Sequence, residues 1–268
     1  MKGQNQLPIL IIIPHGGYNV PEELFGYEAV SKFDLFMQSD TCANDLFSFG
    51  DRVAATMDTD ISRLFIDLDR AYTSLRNDQD GVIKKSTRFG KPVFRNDHFP
   101  DDIAIANMIQ RYWAPFHDTI NKIINTGSLR LILECHTMMA VGPKMSRDPG
   151  KPRPLFMIEH LVREKEMSRE TCSTGMAGGL MEQVEKSFAG EKNTITEKFV
   201  ISDTPADGFI MKSYGNRGIP MLRVSLAQSL FLNDAHFSYD YLRVDDLRIQ
   251  HIRKSMRESI ERFCHKCL

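Results

Sequence analysis

Two histidines in this chain follow apolar runs of the kind that form buried strands. His15 comes after the run at residues 9–13 and lies beside two glycines, and His136 follows the run at residues 129–133. Two neutral imidazoles, one carboxylate and an open position for water make up a catalytic zinc site. The pair therefore predicts a metal centre, next to glycines that let the backbone turn sharply and a ligand approach closely. The alternative is that each is an ordinary histidine at a strand terminus.

The carboxylate that would complete this site is less clearly marked. A carboxypeptidase-type site places a glutamate three residues after the first histidine, but position 18 is Tyr18. The candidates downstream are Asp40 and Asp45, with Glu22 and Glu23 as less favoured alternatives. Asp40 follows a serine, and this pair is also typical of a plain helix N-cap.

Two further side chains are candidates for contact with a substrate. Arg70 follows a predicted strand at residues 64–68, where its guanidinium could hold a substrate carboxylate in a bidentate pair. The alternative is an ion pair with Asp67 or Asp69. His117 lies on a predicted helix and is a candidate for proton transfer or for orienting another group, unless it is an ordinary residue of the helix face.

The elements that position these residues alternate between strands and helices. Short apolar runs bounded by turn formers predict buried strands at residues 9–13, 64–68, 129–133, 155–158 and 221–226. Apolar spacing predicts a helix from Asp101 to just before Gly127, kinked or split by Pro115, and a C-terminal helix from about residue 245. This alternation favours an α/β fold with helices on both faces of a sheet. If the strands are parallel, their carboxyl ends bring the two histidines to one cleft.

Length and composition limit the class of protein. The chain has 268 residues, of which 42% are hydrophobic and 26% charged, and no linker-like segment interrupts residues 1–268, which predicts one domain. With a formal net charge of -1, the chain has no global field to attract nucleic acid or a membrane surface. The apolar run near the N-terminus is too short to cross a bilayer and lacks a signal-peptide cleavage site. Five scattered cysteines are unlike a disulfide framework, so we expect a cytoplasmic protein.

Several short motifs occur in a fixed order along the chain. They are Pro14-His15-Gly16-Gly17, Ser39-Asp40, Ser62-Arg63, Asp67-Leu68-Asp69-Arg70, Pro115-Phe116-His117, Glu134-Cys135-His136-Thr137, Asp207-Gly208-Phe209-Ile210 and Tyr214-Gly215. In this order the chain resembles the N-formylglutamate amidohydrolase family over roughly residues 8–235. Members of that family resemble zinc carboxypeptidases in fold. The resemblance therefore implies a three-layer α/β/α arrangement around a mixed central sheet.

The resemblance also implies an activity. Family members that are enzymes remove the formyl group from N-formyl-L-glutamate, so we expect a metal-dependent hydrolase whose partner is a small N-acyl amino acid. The resemblance makes His15 and His136 ligands of Zn²⁺ or another divalent metal, with Asp40 as the third ligand. Arg70 becomes a contact to the substrate carboxylate or to the transition state. Further substrate contacts implied by the matching motifs are Tyr18, Gly208 and Tyr214.

The chain departs from the family pattern at the catalytic position of the general base. A glutamate is expected there, but the residue is Ser225, and a serine hydroxyl does not activate water at neutral pH. A positioned general base contributes a factor of about 10²–10⁴ in rate. Gln228 likewise stands in place of a family arginine. Glu134 is a candidate substitute for the base, but we expect strand alternation to direct it to the sheet face opposite His136.

These departures leave two alternatives to an N-formylglutamate hydrolase. One is an impaired relative that binds a metal or a carboxylate ligand without cleaving it. The other is an amidohydrolase of a different N-acyl substrate. The sequence favours an active amidohydrolase over a silent binder, and it gives no indication of the oligomeric state.

Overall fold

The computed structural model describes residues 6–73, 81–95, 98–161, 170–192, 197–203 and 208–268. The strands are β1 (Leu7–Ile12), β2 (Val53–Met57), β3 (Leu131–Met138), β4 (Phe156–Glu159), β5 (Phe199–Ser202), β6 (Met221–Ala227), β7 (Phe237–Ser238) and β8 (Arg243–Val244). The α-helices are α1 (Lys32–Gln38), α2 (Ala43–Phe47), α3 (Asp102–Met108), α4 (Ala114–Ile124), α5 (Thr174–Ser187), α6 (Phe209–Tyr214) and α7 (Asp246–Cys267). Asp207, part of one family motif, lies outside the described residues.

Six strands form one mixed sheet in the order β2-β1-β3-β6-β4-β5. Strands β2, β1, β3 and β6 run parallel, whereas β4 is antiparallel to β6 and parallel to β5. Strands β7 and β8 form a separate antiparallel pair. The predicted α/β class with a mixed central sheet is confirmed. Because β3 lies between β1 and β6, side chains of these three strands meet on each face of the sheet.

Apolar residues form a separate buried cluster on each face of the sheet. Ile9 and Leu131 belong to one cluster, and their neighbours Leu10 and Ile132 belong to the other, as the two-residue period of a strand requires. Helices α2, α5 and α7 contribute to the first cluster, and α3, α4 and α6 contribute to the second. The result is the three-layer α/β/α arrangement. We call the side of the second cluster the α4 face.

One predicted strand does not form. Residues 64–68 lie in a loop of turns, where the Ile66 amide donates to the Ser62 carbonyl. The side chains of Leu64 and Leu68 are nevertheless buried in the cluster on the α4 face. The prediction was wrong because a short apolar run marks burial, and a loop packed against a sheet is buried in the same way as a strand.

The strand that carries His136 is longer than predicted. It begins at Leu131, two residues later than expected, and continues to Met138. His136 therefore lies within β3 and projects from the face of the sheet instead of following its edge. Strands β2 and β5 were not predicted, since they are short and mostly only partly buried.

The helical segment after Asp101 is divided near Pro115, as predicted. The Asp101 side chain accepts a hydrogen bond from the Ala104 amide and caps α3. Residues Ile109–Trp113 form a π-helical turn, and Pro115 lies in the first turn of α4. Proline lacks the amide that a continuous α-helix uses, so a change of helical geometry at this place has a direct cause.

The C-terminal helix α7 covers the opposite face of the sheet from α4. It spans 22 residues and buries Ile252 and Met256 in the first cluster. Within the described ranges, no helix combines the length and the apolar character needed to cross a membrane.

Candidate active site

His15, His136 and Asp40 meet on the α4 face of the sheet. The ring centroids of His15 and His136 are 5.2 Å apart. Oδ2 of Asp40 lies 2.7 Å from Nδ1 of His136 and 3.7 Å from Nδ1 of His15. All three side chains are buried. They come together because β1 and β3 are adjacent and parallel, so that the turn after β1 passes beside the second half of β3.

Each of the two imidazole rings is held at its Nε2 atom by a buried carboxylate. Nε2 of His15 lies 2.7 Å from Oδ1 of Asp67, and Nε2 of His136 lies 2.8 Å from Oε1 of Glu134. In each ring Nε2 donates to a buried carboxylate, so Nδ1 is the nitrogen left for Asp40 or for a metal. A carboxylate behind each ring is the arrangement that orients histidine ligands in metal sites.

These donors fit a divalent metal ion. One nitrogen from each histidine and one oxygen of Asp40 lie within 4.8 Å of one another, and this is a ligand set that leaves a position for water on zinc. Asp69, Glu134 and His136 form a second group within the same distance. Arg223, however, contacts both carboxylates of that second group. The first group is therefore the better candidate.

The alternative third ligands lie elsewhere. Asp45 is exposed on α2, and Glu22 pairs with Arg111 at the surface. Ser39 ends α1 as its C-cap, so the interpretation of the Ser39-Asp40 pair as a helix N-cap was wrong. Asp40 is thus the carboxylate that faces both histidines.

The charge state of His136 follows from its two carboxylate neighbours. Burial alone would lower the pKa of His136, but hydrogen bonds to Asp40 and Glu134 raise it to about 9. The same contact, with that of His15, holds the pKa of Asp40 well below its usual range although burial acts in the opposite direction. Without a metal, a proton on Nδ1 satisfies Asp40. A metal at this nitrogen takes the place of that proton.

Arg63 stands beside the same group. Its Nη1 lies 3.2 Å from Nδ1 of His15, and its Nη2 donates to Asp67 at 2.9 Å. Nζ of Lys84 also lies 2.9 Å from Asp67. Burial alone would raise the pKa of Asp67, but Lys84 and Arg63 hold it well below its usual value. A metal at His15 requires Nη1 of Arg63 to move, while the ion pair through Nη2 holds the arginine nearby.

Glu134 lies on the same face of β3 as His136, so the expectation that it points to the opposite face was wrong. The two residues are two positions apart, and alternation along a strand returns to the same face at every second residue. Nη2 of Arg223 lies 2.7 Å from Glu134 and 2.9 Å from Asp69. Burial alone would raise the pKa of Glu134, but Arg223 and His136 lower it to about 2. Glu134 is therefore an ionised group that orients His136.

The three candidate ligands open onto a cavity of about 620 Å³ that is rich in cations. The cationic lining side chains are Arg63, Arg70, Lys84, Arg88, Arg147, Lys151, Arg153 and Arg223, and the acidic ones are Asp40, Asp69, Asp148 and Glu159. Burial and, to a smaller extent, the charge of nearby Arg63 lower the pKa of Arg88 to about 10. An excess of positive charge in a concave site favours an anionic ligand.

Arg70 and Ser225 both line this cavity. Arg70 donates to the Asp69 carbonyl at 3.2 Å, and Ser225 lies directly across from His136 in the β3–β6 pair. Gln228 is buried outside the cavity lining, where its Nε2 donates to Oγ1 of Thr137 at 3.2 Å.

His117 lies outside the cavity lining, so its geometry does not support proton transfer to a substrate. Its Nδ1 lies 2.8 Å from the Tyr214 hydroxyl and its Nε2 lies 2.9 Å from the Leu68 carbonyl. Burial lowers the pKa of His117 to about 4. A neutral ring that accepts from Tyr214 and donates to Leu68 uses both nitrogens. His117 and Tyr214 therefore position the loop that leads to Arg70.

Tyr18 and Gly208 do not line the cavity. Both have structural roles next to it. The Tyr18 hydroxyl accepts from the Cys42 amide at 2.8 Å. A Cβ on Gly208 would lie 2.1 Å from Nη2 of Arg223 and 2.3 Å from Oδ2 of Asp69. Gly208 thus leaves the space that the Asp69–Arg223 ion pair occupies.

The two glycines after His15 pack against protein atoms. A Cβ on Gly16 would lie 1.9 Å from Oδ1 of Asn44, and a Cβ on Gly17 would lie 2.2 Å from the carbonyl carbon of Asp60. Glycine is needed at both positions because other parts of the chain pack closely against the backbone there. The close contact is with protein atoms and not with a ligand.

Several charged residues of the site were assigned no role from the sequence: Arg63, Lys84, Arg88, Glu159 and Arg223. Arg223 interrupts an apolar strand and Glu159 ends another. Isolated charges in buried strands are rare unless paired, and this signal was available in the sequence. The other three residues lie in loops, where no periodic pattern marks them.

Comparison with known proteins agrees with the resemblance seen in the sequence. The family model of N-formylglutamate amidohydrolase matches residues 7–232. The chain is similar in structure to the N-formylglutamate amidohydrolase from Ralstonia eutropha JMP134, with a TM-score of 0.66 and 16% identity over 98% of this chain and 96% of that chain. A metallo-carboxypeptidase from Burkholderia cenocepacia matches with a TM-score of 0.41 and 11% identity over 100% and 59% of the two chains. No curated protein matches the sequence significantly. The chain belongs to the N-formylglutamate amidohydrolase family.

Proposed function

We propose that this protein is a metal-dependent amidohydrolase that cleaves a small N-acyl amino acid, with N-formyl-L-glutamate as the reference substrate, to the carboxylate and the free amino acid. The observation that carries the proposal is the group His15, Asp40 and His136, buried together at the wall of a cation-rich cavity. Family membership supplies the reaction class, and the ligand set supports metal dependence.

The metal would be held by Nδ1 of His15, Nδ1 of His136 and a carboxylate oxygen of Asp40. A bound zinc ion supplies Lewis acidity for an acyl carbonyl and for a water molecule. The chain's own contribution is to hold both rings through Asp67 and Glu134, so that the two Nδ1 atoms are aimed before any ion arrives.

The cavity suits a substrate with more than one carboxylate. Eight cationic and four acidic side chains line it, and Asp148 among the acids is already paired with Arg153. N-formyl-L-glutamate carries two carboxylates at neutral pH. Arg70 and Arg88 both line the cavity. Guanidinium groups of this kind bind carboxylates with two parallel hydrogen bonds.

Ser225 favours a second candidate function, a relative that binds its ligand without hydrolysing it. The residue faces His136 across the sheet, and its hydroxyl does not act as a general base at neutral pH. Such a protein would gain thermal stability with N-formyl-L-glutamate and release no product. Steady hydrolysis by the unmodified chain, lost in His136→Ala, would exclude this candidate.

The direct test is release of formate from N-formyl-L-glutamate. We expect the wild-type chain to release formate and glutamate in equal amounts, to lose activity after dialysis against a strong chelator, and to regain it with zinc. N-acetyl-L-glutamate and N-formyl-L-leucine, assayed in parallel, separate the choice of acyl group from the need for a second carboxylate. Turnover that is indifferent to the chelator would contradict metal dependence, and the absence of turnover would contradict the activity.

A further inference from the structure

Glu159 shares one face of the sheet with the candidate ligands although it comes from a different part of the chain. It is the last residue of β4, the strand that runs antiparallel to β6, and its Cα pairs with that of Arg223. Two positions earlier, Met157 pairs with Ser225. All four residues line the cavity, as strand alternation on two neighbouring strands requires.

Two rows of side chains therefore cross the sheet on this face. One row contains His136, Ser225 and Met157, and the adjacent row contains Glu134, Arg223 and Glu159. Neighbouring strands lie about 4.8 Å apart. Arg223 thus stands between two carboxylates, and Glu159 lies across β6 from the His136 strand, one row away from Ser225.

The hydrogen-bond partners of the cavity acids set Glu159 apart. Asp40 bonds to His136, Asp69 to Arg223 and Asp148 to Arg153. The side chain of Glu159 forms no hydrogen bond or ion pair with any of the residues that the structure describes. Glu159 is also partly buried at the cavity wall, and a carboxylate that is partly withdrawn from water without a partner costs free energy. A group kept in that state at a cavity wall is a candidate for chemistry.

The surroundings of Glu159 agree with this assignment. Burial is the largest influence on its pKa and raises it above the ordinary value, while the charge of Arg223 acts in the opposite direction. By contrast, Oε1 of Glu134 is bonded to both His136 and Arg223, and these two neighbours lower the pKa of Glu134 to about 2 although burial acts in the opposite direction. Of the two glutamates in this row, Glu159 is the one whose carboxylate has no hydrogen-bond partner among the described residues.

We propose that Glu159 is the general base and acid of the hydrolysis, supplying from β4 the carboxylate that Ser225 does not supply from β6. This inference rests on the proposed amidohydrolase function. Glu159 takes a proton from water while the water oxygen forms a bond to the formyl carbon. The carbon–nitrogen bond then breaks as Glu159 returns that proton to the amide nitrogen. The products are the free amine of the amino acid and formic acid, which ionises to formate.

The test compares Glu159→Gln with Glu185→Gln in the full chain, using N-formyl-L-glutamate and measuring release of glutamate. Glu185 is an exposed glutamate of α5 away from the cavity, so its variant controls for the loss of one carboxylate. We expect Glu159→Gln to lower kcat by about 10²–10⁴ with KM, bound zinc and melting temperature near the wild-type values. Acetate added to Glu159→Ala should restore part of the lost rate.

Glu159→Asp provides a second reading that does not depend on how well the glutamine variant folds. It keeps the charge but withdraws the carboxylate by one methylene, so we expect a kcat reduced by about 10-fold to 10²-fold. If the wild type hydrolyses the substrate and both variants keep its kcat, or change only KM, the role of Glu159 is overturned while the proposed function stands. If the wild type hydrolyses none of the N-acyl amino acids, both proposals are overturned.

Discussion

Nε2 of His136 lies 2.8 Å from Oε1 of Glu134 on the same strand. Because that oxygen also accepts from Arg223 at 2.7 Å, the carboxylate is held in place and fixes the orientation of the imidazole ring. Nδ1 of His136 then has only one direction to face, toward Asp40 at 2.7 Å. Glu134 is a positioning residue for a candidate metal ligand, and its effect is separable from that of the ligand itself.

Substituting Glu134 by glutamine should weaken metal binding without abolishing it. Groups that hold a histidine ligand from behind change metal affinity by about 10-fold to 100-fold, so we expect a loss in that range for Glu134→Gln and a larger loss for His136→Ala. Competition with a chromophoric zinc chelator measures both. Equal affinities for wild type and Glu134→Gln would show that ring orientation does not depend on this contact.

Removing Arg223 should destabilise the fold. Its guanidinium is the cation that contacts both Asp69 and Glu134, and breaking a buried ion pair from one side costs about 3–5 kcal/mol. We expect Arg223→Met to lower the free energy of unfolding in urea by that amount. Arg111→Met, which removes an exposed partner of Glu22, should leave it unchanged. Equal changes in unfolding free energy for the two substitutions would mean that the ion pairs of Arg223 with Asp69 and Glu134 do not stabilise the fold.

A methyl group at Gly208 should disturb the same ion pair. The added Cβ would lie 2.1 Å from Nη2 of Arg223, closer than atoms can approach, so Gly208→Ala should lower both stability and formate release. Gly178→Ala is the matched control, because a Cβ there meets nothing within 4 Å and lies inside α5. The control should stabilise the protein by about 0.5–1 kcal/mol. A Gly208→Ala protein as active as the wild type would show that the pair tolerates displacement.

His117 should make the stability of the protein depend on pH. Burial lowers its pKa to about 4, below the value of about 6.5 in an unfolded chain. The unfolded chain therefore binds the proton more tightly, so the contribution of His117 to stability is complete above pH 6.5 and declines as the pH falls toward 4. At pH 5 the decline amounts to about 2 kcal/mol.

His117→Gln removes this titration and keeps a donor for the Leu68 carbonyl. We expect its unfolding free energy in urea to change less between pH 7 and pH 5 than that of the wild type, by about 2 kcal/mol. The difference between the two proteins isolates His117 from the carboxylates that titrate in both. A parallel pH dependence in wild type and variant would contradict a neutral buried ring.

Arg70 should act mainly on substrate binding. A charge-assisted hydrogen bond to a carboxylate is worth about 1.5–3 kcal/mol, so we expect Arg70→Gln to raise KM for N-formyl-L-glutamate by about 10-fold or more, with a smaller change in kcat. Arg52→Gln, at an exposed arginine outside the cavity, is the control. A fall in kcat with unchanged KM would instead place Arg70 at the transition state.

The meeting of the two histidines could be predicted from the sequence because it depends on strands. Apolar runs marked β1 and β3, and polar residues near the ends of parallel neighbours share a cleft. The family motifs added Asp40, which faces both rings. The face of Glu134 was equally predictable, because Glu134 is two positions from His136 and alternation returns to the same face at every second residue. The expectation that Glu134 points to the opposite face was therefore wrong although the sequence contained the signal.

The remaining part of the site could not be predicted because it depends on loops and on strand direction. Arg63 and Lys84 reach Asp67 from segments without periodicity, and residues 64–68 have the composition of a strand but the conformation of turns. Glu159 faces Arg223 because of the antiparallel register of β4 against β6. Strand direction is a property of tertiary packing that a single short apolar run does not encode.

If the proposed function is correct, His15, Asp40 and His136 together hold one divalent ion that hydrolysis requires. The most direct test is the zinc content of the purified protein after equilibration with zinc and gel filtration, measured together with formate release for wild type and His136→Ala. We predict one zinc per wild-type chain, with loss of both the zinc and the activity in the variant. A wild-type chain that retains no zinc, or a His136→Ala chain that retains it and remains active, would contradict a metal-dependent hydrolysis at these three residues.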